Sequence, residues 1–387
     1  MKSHSVTQLS RRKFISIVGG GAIIAVGSGL GSFALTRTPY SALAPWGLAG
    51  SYEEPRRFAL SYAILAPNPH NLQPWLVDLS EDGVVTLLAD PSRRLSATDP
   101  FDRQLTIGLG CFLELMDIAA SALGYRIETT LFPEGTSTEM IGGKPVARAT
   151  FFHENIPVDP LFTQTLNRRS TKKPFDLSRP VAPELIKQLS PKVPDIRFDG
   201  TVDSVRVASL RELTWQAWLT ECSTPTAHQE SVDLMRLGKA EVMSNPDGIY
   251  IGGMPVELLI AMRIMTRKGL ATSGTTNYNA AMNMYQTMLD ATPAFVWLAS
   301  PDNTRSTQIA AGRGWLRLNL LTTQHGLALH PVSQCLQEYP EMVIHYQAAR
   351  QIMAKRGETI QMLGRLGYST SVPQTPRWNL DDKIKYA

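Results

Sequence analysis

Hydrophobic and polar positions along the chain change period several times, and the changes mark its elements. Residues Glu53 to Leu65 carry a helical pattern that stops at Ala66-Pro67-Asn68-Pro69, because a proline disfavours helical geometry in the residue before it. Two short alternating runs follow, Trp75–Leu79 and Gly83–Ala89, joined by a Ser-Glu-Asp-Gly turn, and these read as paired strands. Leu105 to Leu123 is a long apolar helix that Gly124 can close. The strands Arg126–Leu131 and Val146–His153 come next.

The pattern then starts again. Pro160–Asn167 and Pro183–Leu189 predict helices, and Ile196–Phe198 and Ala294–Ala299 predict strands. Gln308–His325 is a second long helix closed by a glycine, Gly326, and a strand-like segment follows it as one follows Gly124. The sequence therefore predicts an α+β fold of two fused, divergent halves, 45–160 and 161–387. Each half has a mixed or antiparallel sheet flanked by helices. Residues 228–289 form a helical insertion with eight of the chain's 14 methionines. Thioethers suit a surface that adapts to planar ligands, and Gly252-Gly253 and Ser273-Gly274 could hinge a lid; ordinary core helices that use methionine fit the pattern equally.

Composition narrows the function classes. With 43% hydrophobic and 19% charged residues over 387 positions, the chain can bury a sizeable core. A net charge of +4 with no basic stripe does not suit a nucleic-acid binder. Cys111, Cys222 and Cys335 form neither a disulfide framework nor a metal motif. The seven histidines show no ligand spacing, so no metal site is expected.

Residues 1–44 read as an address. Arg11-Arg12-Lys13 precede an uncharged, glycine-rich stretch, Ile15–Leu35, which predicts recognition by the twin-arginine export machinery. The expected location is the periplasm, or the outer side of the membrane if this segment stays as an anchor. Ser32-Phe33-Ala34 and Ala42-Leu43-Ala44 are the two candidate cleavage motifs.

Two irregular segments carry chemistry. Arg168-x-Ser170-x-Lys172 offers a guanidinium, a hydroxyl and an ammonium, the donor set a phosphate needs. Its bland reading is a solvated basic face. In Pro67-Asn68-Pro69-His70-Asn71-Leu72-Gln73-Pro74-Trp75, prolines fix the backbone while Asn71 and Gln73 present amides in set directions. That arrangement fits the edge of a heteroaromatic ring, or equally a rigid turn whose Trp75 packs in the core.

Both segments resemble signature elements of the nitroreductase-like FMN-binding family. Arg168, Ser170, Lys172 and Phe175 match its R-x-S-x-[RK]…F opening, and Ala66-Pro67 with Asn71–Trp75 match its A-P-S-x-x-N-x-Q-P-W element. Leu363–Tyr368 with Pro376-Arg377 resembles its tail, with Trp378 in place of a second arginine. Asp90–Leu95 and Asp99–Ile107 resemble the Acg-type subgroup, in which one chain imitates the usual homodimer. The resemblance implies a monomeric pseudo-dimer with one FMN between its halves. Arg168, Ser170 and Arg377 would hold the phosphate, and Lys172 would face the flavin N1/O2 edge. Pro67, Asn68, His70, Asn71 and Gln73 would line the ring, and Pro331, Val332 and Ser333 would lie near N5.

The activity implied is hydride transfer through FMN, from a small-molecule electron donor to a nitroaromatic or quinone-like acceptor. No catalytic residue stands out, since a lone His70 is more often a structural hydrogen-bonder. Export would separate the protein from NAD(P)H. That keeps two further readings in view, a protein that sequesters FMN under a closed lid and a membrane-anchored partner that draws on quinol.

Overall fold

The computed structural model describes residues 38–137 and 139–386. The twin-arginine segment and Ser32-Phe33-Ala34 lie outside them. Chain order begins with α1 (Tyr40–Leu48), α2 (Pro55–Ala63), β1 (Trp75–Asp78), β2 (Val84–Ala89), α3 (Arg103–Ser121), β3 (Tyr125–Leu131) and β4 (Pro145–His153). From α2 onward these match the expected elements to within a few residues, whereas α1 forms where the sequence predicted only the end of an export address. The Glu54 carboxylate fixes the start of α2 by accepting the Arg56 and Arg57 N–H groups. Ala42-Leu43-Ala44 lies inside α1, with Ala42 buried.

The second half runs α4 (Pro183–Gln188), β5 (Arg197–Thr201) and α5 (Ser204–Ser223), then the insertion. The insertion is built from α6 (Pro225–Asp233), β6 (Met235–Leu237), α7 (Gly238–Ser244), β7 (Ile249–Ile251), α8 (Met254–Ala261), α9 (Arg267–Ala271) and α10 (Thr276–Asp290). The chain ends with β8 (Ala294–Ser300), α11 (Arg305–Gln324), β9 (Ala328–Pro331), α12 (Val343–Met353), β10 (Thr359–Gly367) and β11 (Ile384–Tyr386).

One expected helix is not formed. Pro160–Asn167 reduces to a single tight turn, Phe162–Gln164. Its polar side chains bond back to the local backbone, Thr165 Oγ1 to Phe162 O at 2.8 Å and Asn167 Nδ2 to Thr163 O at 3.3 Å, which competes with a regular helix.

The strands form two main sheets, ordered β11-β1-β2-β4-β3 and β5-β8-β10-β9. In the second sheet β8 and β10 are buried along their whole length. Ala294, Val296 and Leu298 enter one apolar cluster, and Phe295, Trp297 and Ala299 enter another. This sheet is therefore packed on both faces, which explains its unbroken apolar runs. In the first sheet β11 pairs parallel to β1, so the C-terminal tail returns to the N-terminal half.

Two of the three longest helices among the described residues, α3 and α11, pack on each other. Gly110 and Gly312 are each the eighth residue of their helix, and each stands fourteen positions before a closing glycine, Gly124 (φ 75°) or Gly326 (φ 67°).

Candidate functional site

The segment after α2 is held in an unusual backbone. His70 (φ 49°), Asn71 (φ 56°) and Gln73 (φ 54°) all adopt left-handed conformations, which cost about 1 kcal/mol or more for residues other than glycine. Neighbouring chain over-determines them. The Asn68 Oδ1 accepts the Gln73 N–H at 2.7 Å, and Gln73 Nε2 donates to Asn71 O and to Pro246 O. Gln73 Oε1 accepts the Trp378 N–H at 2.9 Å, and Lys383 Nζ donates to Gln73 O at 2.8 Å. Asn71 Nδ2 donates to Pro376 O at 3.1 Å, while its Oδ1 accepts from Arg377 Nη1. Gln73 thus spends its amide within the protein and sets the shape of the wall. Pro67, Asn68, His70 and Asn71 remain half-buried.

Beside this wall three arginines gather. Arg168 and Arg377 are 4% and 3% exposed, and both donate to one carbonyl, Leu65 O, at 3.0 and 3.1 Å. Arg377 also donates to Ile64 O and Ala66 O, so this pair covers the carbonyls just past α2. Arg169 lies over the Trp46 ring at 4.6 Å. Among the described residues none of the three makes an ion pair with a carboxylate. Arg168 Nε and Arg169 Nε are buried without a partner. Burial, and then the neighbouring guanidiniums, pull Arg168 down to about 10 and Arg377 to about 9.

The loop that follows is pinned from below. Arg365 on β10, fully buried, donates to Thr171 O at 3.0 Å and Lys173 O at 2.6 Å, so the residue between them, Lys172, is held outward. Arg365 Nε also donates to His330 Nδ1 at 3.1 Å, which leaves the His330 proton on Nε2. Lys172 and Ser170 both keep solvent-accessible surface. Even so, surrounding protein lowers the Lys172 ammonium below its ordinary value, and only the charge of Glu221 opposes this. Solvent access combined with desolvation describes a side chain in a recess. Burial and the charge of Lys172 hold His70 down to about 4. Burial, then Arg365 and Lys172, hold His330 well below its usual value. His70 Nδ1 is buried and unpartnered.

Of the expected site residues, the structure joins Arg168 and Arg377 through Leu65 O, bonds Asn71 directly to Arg377, and sets Lys172 within electrostatic reach of His70. At the end of β9, Val332 is wholly buried and Ser333 Oγ is engaged with Leu363 O at 3.3 Å, so only the half-buried Pro331 keeps surface there. Arg103, in the Asp99–Ile107 segment, lies in the interior. It is 1% exposed and ties α3 to Leu336 O, Gln361 O and Glu338.

Sequence reasoning missed Arg169, Trp46, His330, Arg365 and Glu221. Glu221 on α5 is 3% exposed and accepts from Gln337 Nε2 at 2.9 Å and Ser231 Oγ at 3.3 Å. Burial raises its carboxyl to about 7 against these donors and Lys172.

No family model matches the chain. A stretch of 151 residues is 29% identical to the Mycobacterium tuberculosis (strain H37Rv) protein called "Putative NAD(P)H nitroreductase acg", covering 38% of this chain and 42% of that protein. An uncharacterized protein of the same strain is 30% identical over 124 residues, covering 30% of this chain and 35% of its own. The matched stretches thus span less than half of the relatives. Among solved structures, the chain is similar to the FMN-dependent nitroreductase NfnB from Mycobacterium smegmatis in complex with NADPH. Identity is 16%, the TM-score is 0.35, and 57% of this chain and 95% of that one are covered. A nitroreductase-like family protein from Bacillus cereus gives 13% identity and a TM-score of 0.33, with 59% and 96% covered.

Proposed function

We propose that the chain is an FMN-binding, nitroreductase-like oxidoreductase with one flavin site between its halves. The arginine trio carries this reading. Burial lowers all three guanidiniums, Arg169 lowers Arg168 further and both lower Arg377, and among the described residues no carboxylate pairs with them. A dianionic phosphate would relieve that repulsion and give the orphaned Arg168 Nε and Arg169 Nε an acceptor. The adjoining wall, Pro67 to Asn71, together with Lys172, would take the ring. Bound there, FMN would supply two-electron redox chemistry. Lys172 would offset negative charge on the reduced ring, and His70, neutral above about pH 4, would offer or accept a hydrogen bond without adding charge. The matched positions of Gly110 and Gly312 support reading the chain as a pseudo-dimer.

The relatives' names speak for NAD(P)H as donor, and a nitroaromatic or quinone is the acceptor class proposed. Export by the twin-arginine route, with an extracytoplasmic location, belongs to the same proposal and rests on sequence. The alternative is a protein that holds FMN without turnover. What favours it is how firmly the insertion is closed. Glu230 accepts the Ala97 and Thr98 N–H groups at 2.9 and 3.0 Å, and Asp247 accepts from Arg93, Arg236 and Trp378.

Anaerobic reduction separates the two. A yellow protein bleached by NADPH and reoxidised by menadione or nitrofurazone is the oxidoreductase. One that dithionite bleaches and NADPH does not is a sequestering protein, or one served by another donor. A protein that takes up no flavin removes both readings.

A further inference from the structure

The insertion carries a helix whose polarity is inverted. In α8, Met-Pro-Val-Glu-Leu-Leu-Ile-Ala, the only charged residue is Glu257, and it is 5% exposed. Its carboxylate is spent inside, accepting the Lys239 N–H at 2.6 Å. Met254 and Leu258, by contrast, are each 38% exposed, and just beyond the helix Met262 is 48% and Ile264 39% exposed. A surface helix of a soluble protein hides its apolar stripe and shows its charges. α8 does the reverse, and a clustered apolar surface of this kind marks a contact.

Two further observations say what makes that contact. The first is charge. Between residues 249 and 275 the one acidic residue is the buried Glu257, whereas Arg263 and Lys268 are exposed. The face is therefore apolar with two exposed cations beside it, while the nearby Glu241 of α7 is paired with Arg267. The second is position. α7 touches both α8 and α1, Met243 on α7 is 44% exposed, and Tyr40 at the start of α1 is 67% exposed. α1 follows closely on the uncharged stretch Ile15–Leu35, which is about long enough to enter a bilayer. The apolar face and α1 thus lie on elements that α7 joins.

We propose that α8, with Met262 and Ile264 and the cations Arg263 and Lys268, seats the protein on an anionic lipid bilayer. Apolar side chains would enter the headgroup boundary and the two cations would pair with lipid phosphates. A second copy of the chain fits less well, since a two-fold contact would set Arg263 and Lys268 against their own equivalents. The inference does not depend on the flavin reading. It does bear on the site, because the insertion is hydrogen-bonded to its wall through Gln73 Nε2 to Pro246 O and Gly248 N to Asn71 O.

The test uses the full chain, with an environment-sensitive fluorophore on Met262→Cys in a Cys222→Ser background. Vesicles of phosphatidylcholine alone are compared with vesicles containing 30% phosphatidylglycerol (~0.3 mole fraction, enough to give a negative surface potential). The label should shift to the blue, and be quenched by spin-labelled acyl chains, on the anionic vesicles only. Arg263→Ser with Lys268→Ser should weaken that insertion about 30-fold, at roughly fivefold per basic residue. Leu258→Asp should abolish it, and since position 258 is exposed, the thermal melt should stay unchanged. Emission that stays water-like on vesicles carrying the chain overturns the proposal. So does a blue shift without lipid accompanied by a dimer mass in light scattering, which would assign the face to a second copy.

Discussion

Gly110 and Gly312 bring the backbones of α3 and α11 into direct contact. A Cβ on Gly312 would lie 2.8 Å from the Gly110 Cα and would strike the Ile107 carbonyl oxygen, while one on Gly110 would strike the Ile309 carbonyl oxygen. No flexible side chain can yield there, so the helices would have to separate. Gly110→Ala or Gly312→Ala should cost about 1–3 kcal/mol, the usual penalty for overpacking, and the double variant more. Thermal unfolding checks this. A melt unchanged in both single variants would mean that the crossing is looser than described.

Much of this architecture is legible in the sequence, for physical reasons. The helices α3 and α11 show because each has a sustained apolar period and a glycine at its end, whereas the comparably long α5 has no such glycine and does not show. The 66–75 wall shows because prolines punctuate it. The arginine cluster is half legible. Arg168 and Arg377 lie in recognisable motifs, but Arg169 occupies a position that any residue could fill, and only the fold turns it onto Trp46. Arg365 lies within a tail motif, yet its task of holding the Thr171 and Lys173 carbonyls depends on a strand register no local pattern encodes. Glu221 is one polar residue on a long helix, and its environment is assembled from Gln337, more than a hundred positions away.

Glu221 gives a pH prediction. Its carboxyl, ordinarily near 4.5, is raised to about 7 in the folded chain. A pKa raised on folding means that the folded state holds the proton more tightly. The contribution to stability is therefore complete below about pH 4.5 and is lost as pH rises through about 7. Glu221→Gln, which stays neutral, should lack this component. Its melting temperature relative to the unsubstituted, flavin-free protein should rise between pH 5 and pH 8, by the equivalent of at most about 3 kcal/mol. Parallel pH profiles would contradict the assignment.

Asp247 joins the insertion to the chain around the site wall through Arg93 at 2.6 Å and Trp378 at 2.9 Å, and pairs within the insertion with Arg236 at 2.6 Å. Removing one member of a buried charge network leaves the others uncompensated, at a cost of about 3 kcal/mol or more. Asp247→Ala should speed hydrogen exchange in residues 234–251 and in the Asn71–Gln73 wall, while the Gly110–Gly312 crossing keeps its protection. Exchange confined to neither region would show that the insertion is held elsewhere.

His70 should remain neutral down to about pH 4, because burial and the charge of Lys172 both oppose its protonation. An NMR titration of the imidazole should show no charge change between pH 5 and pH 7, and Lys172→Met should move its midpoint upward. A midpoint near 6.5 in the unsubstituted protein would place the ring in open solvent.

The flavin content of the purified chain bears most directly on the proposed function. Acid release should yield about one FMN per chain after reconstitution. Arg168→Ala combined with Lys172→Ala should weaken FMN binding about 1,000-fold, at roughly 2 kcal/mol for each lost charged contact, with circular dichroism unchanged. A chain that binds no FMN, or a double variant that holds it as tightly as the unsubstituted protein, would contradict the arginine-walled site.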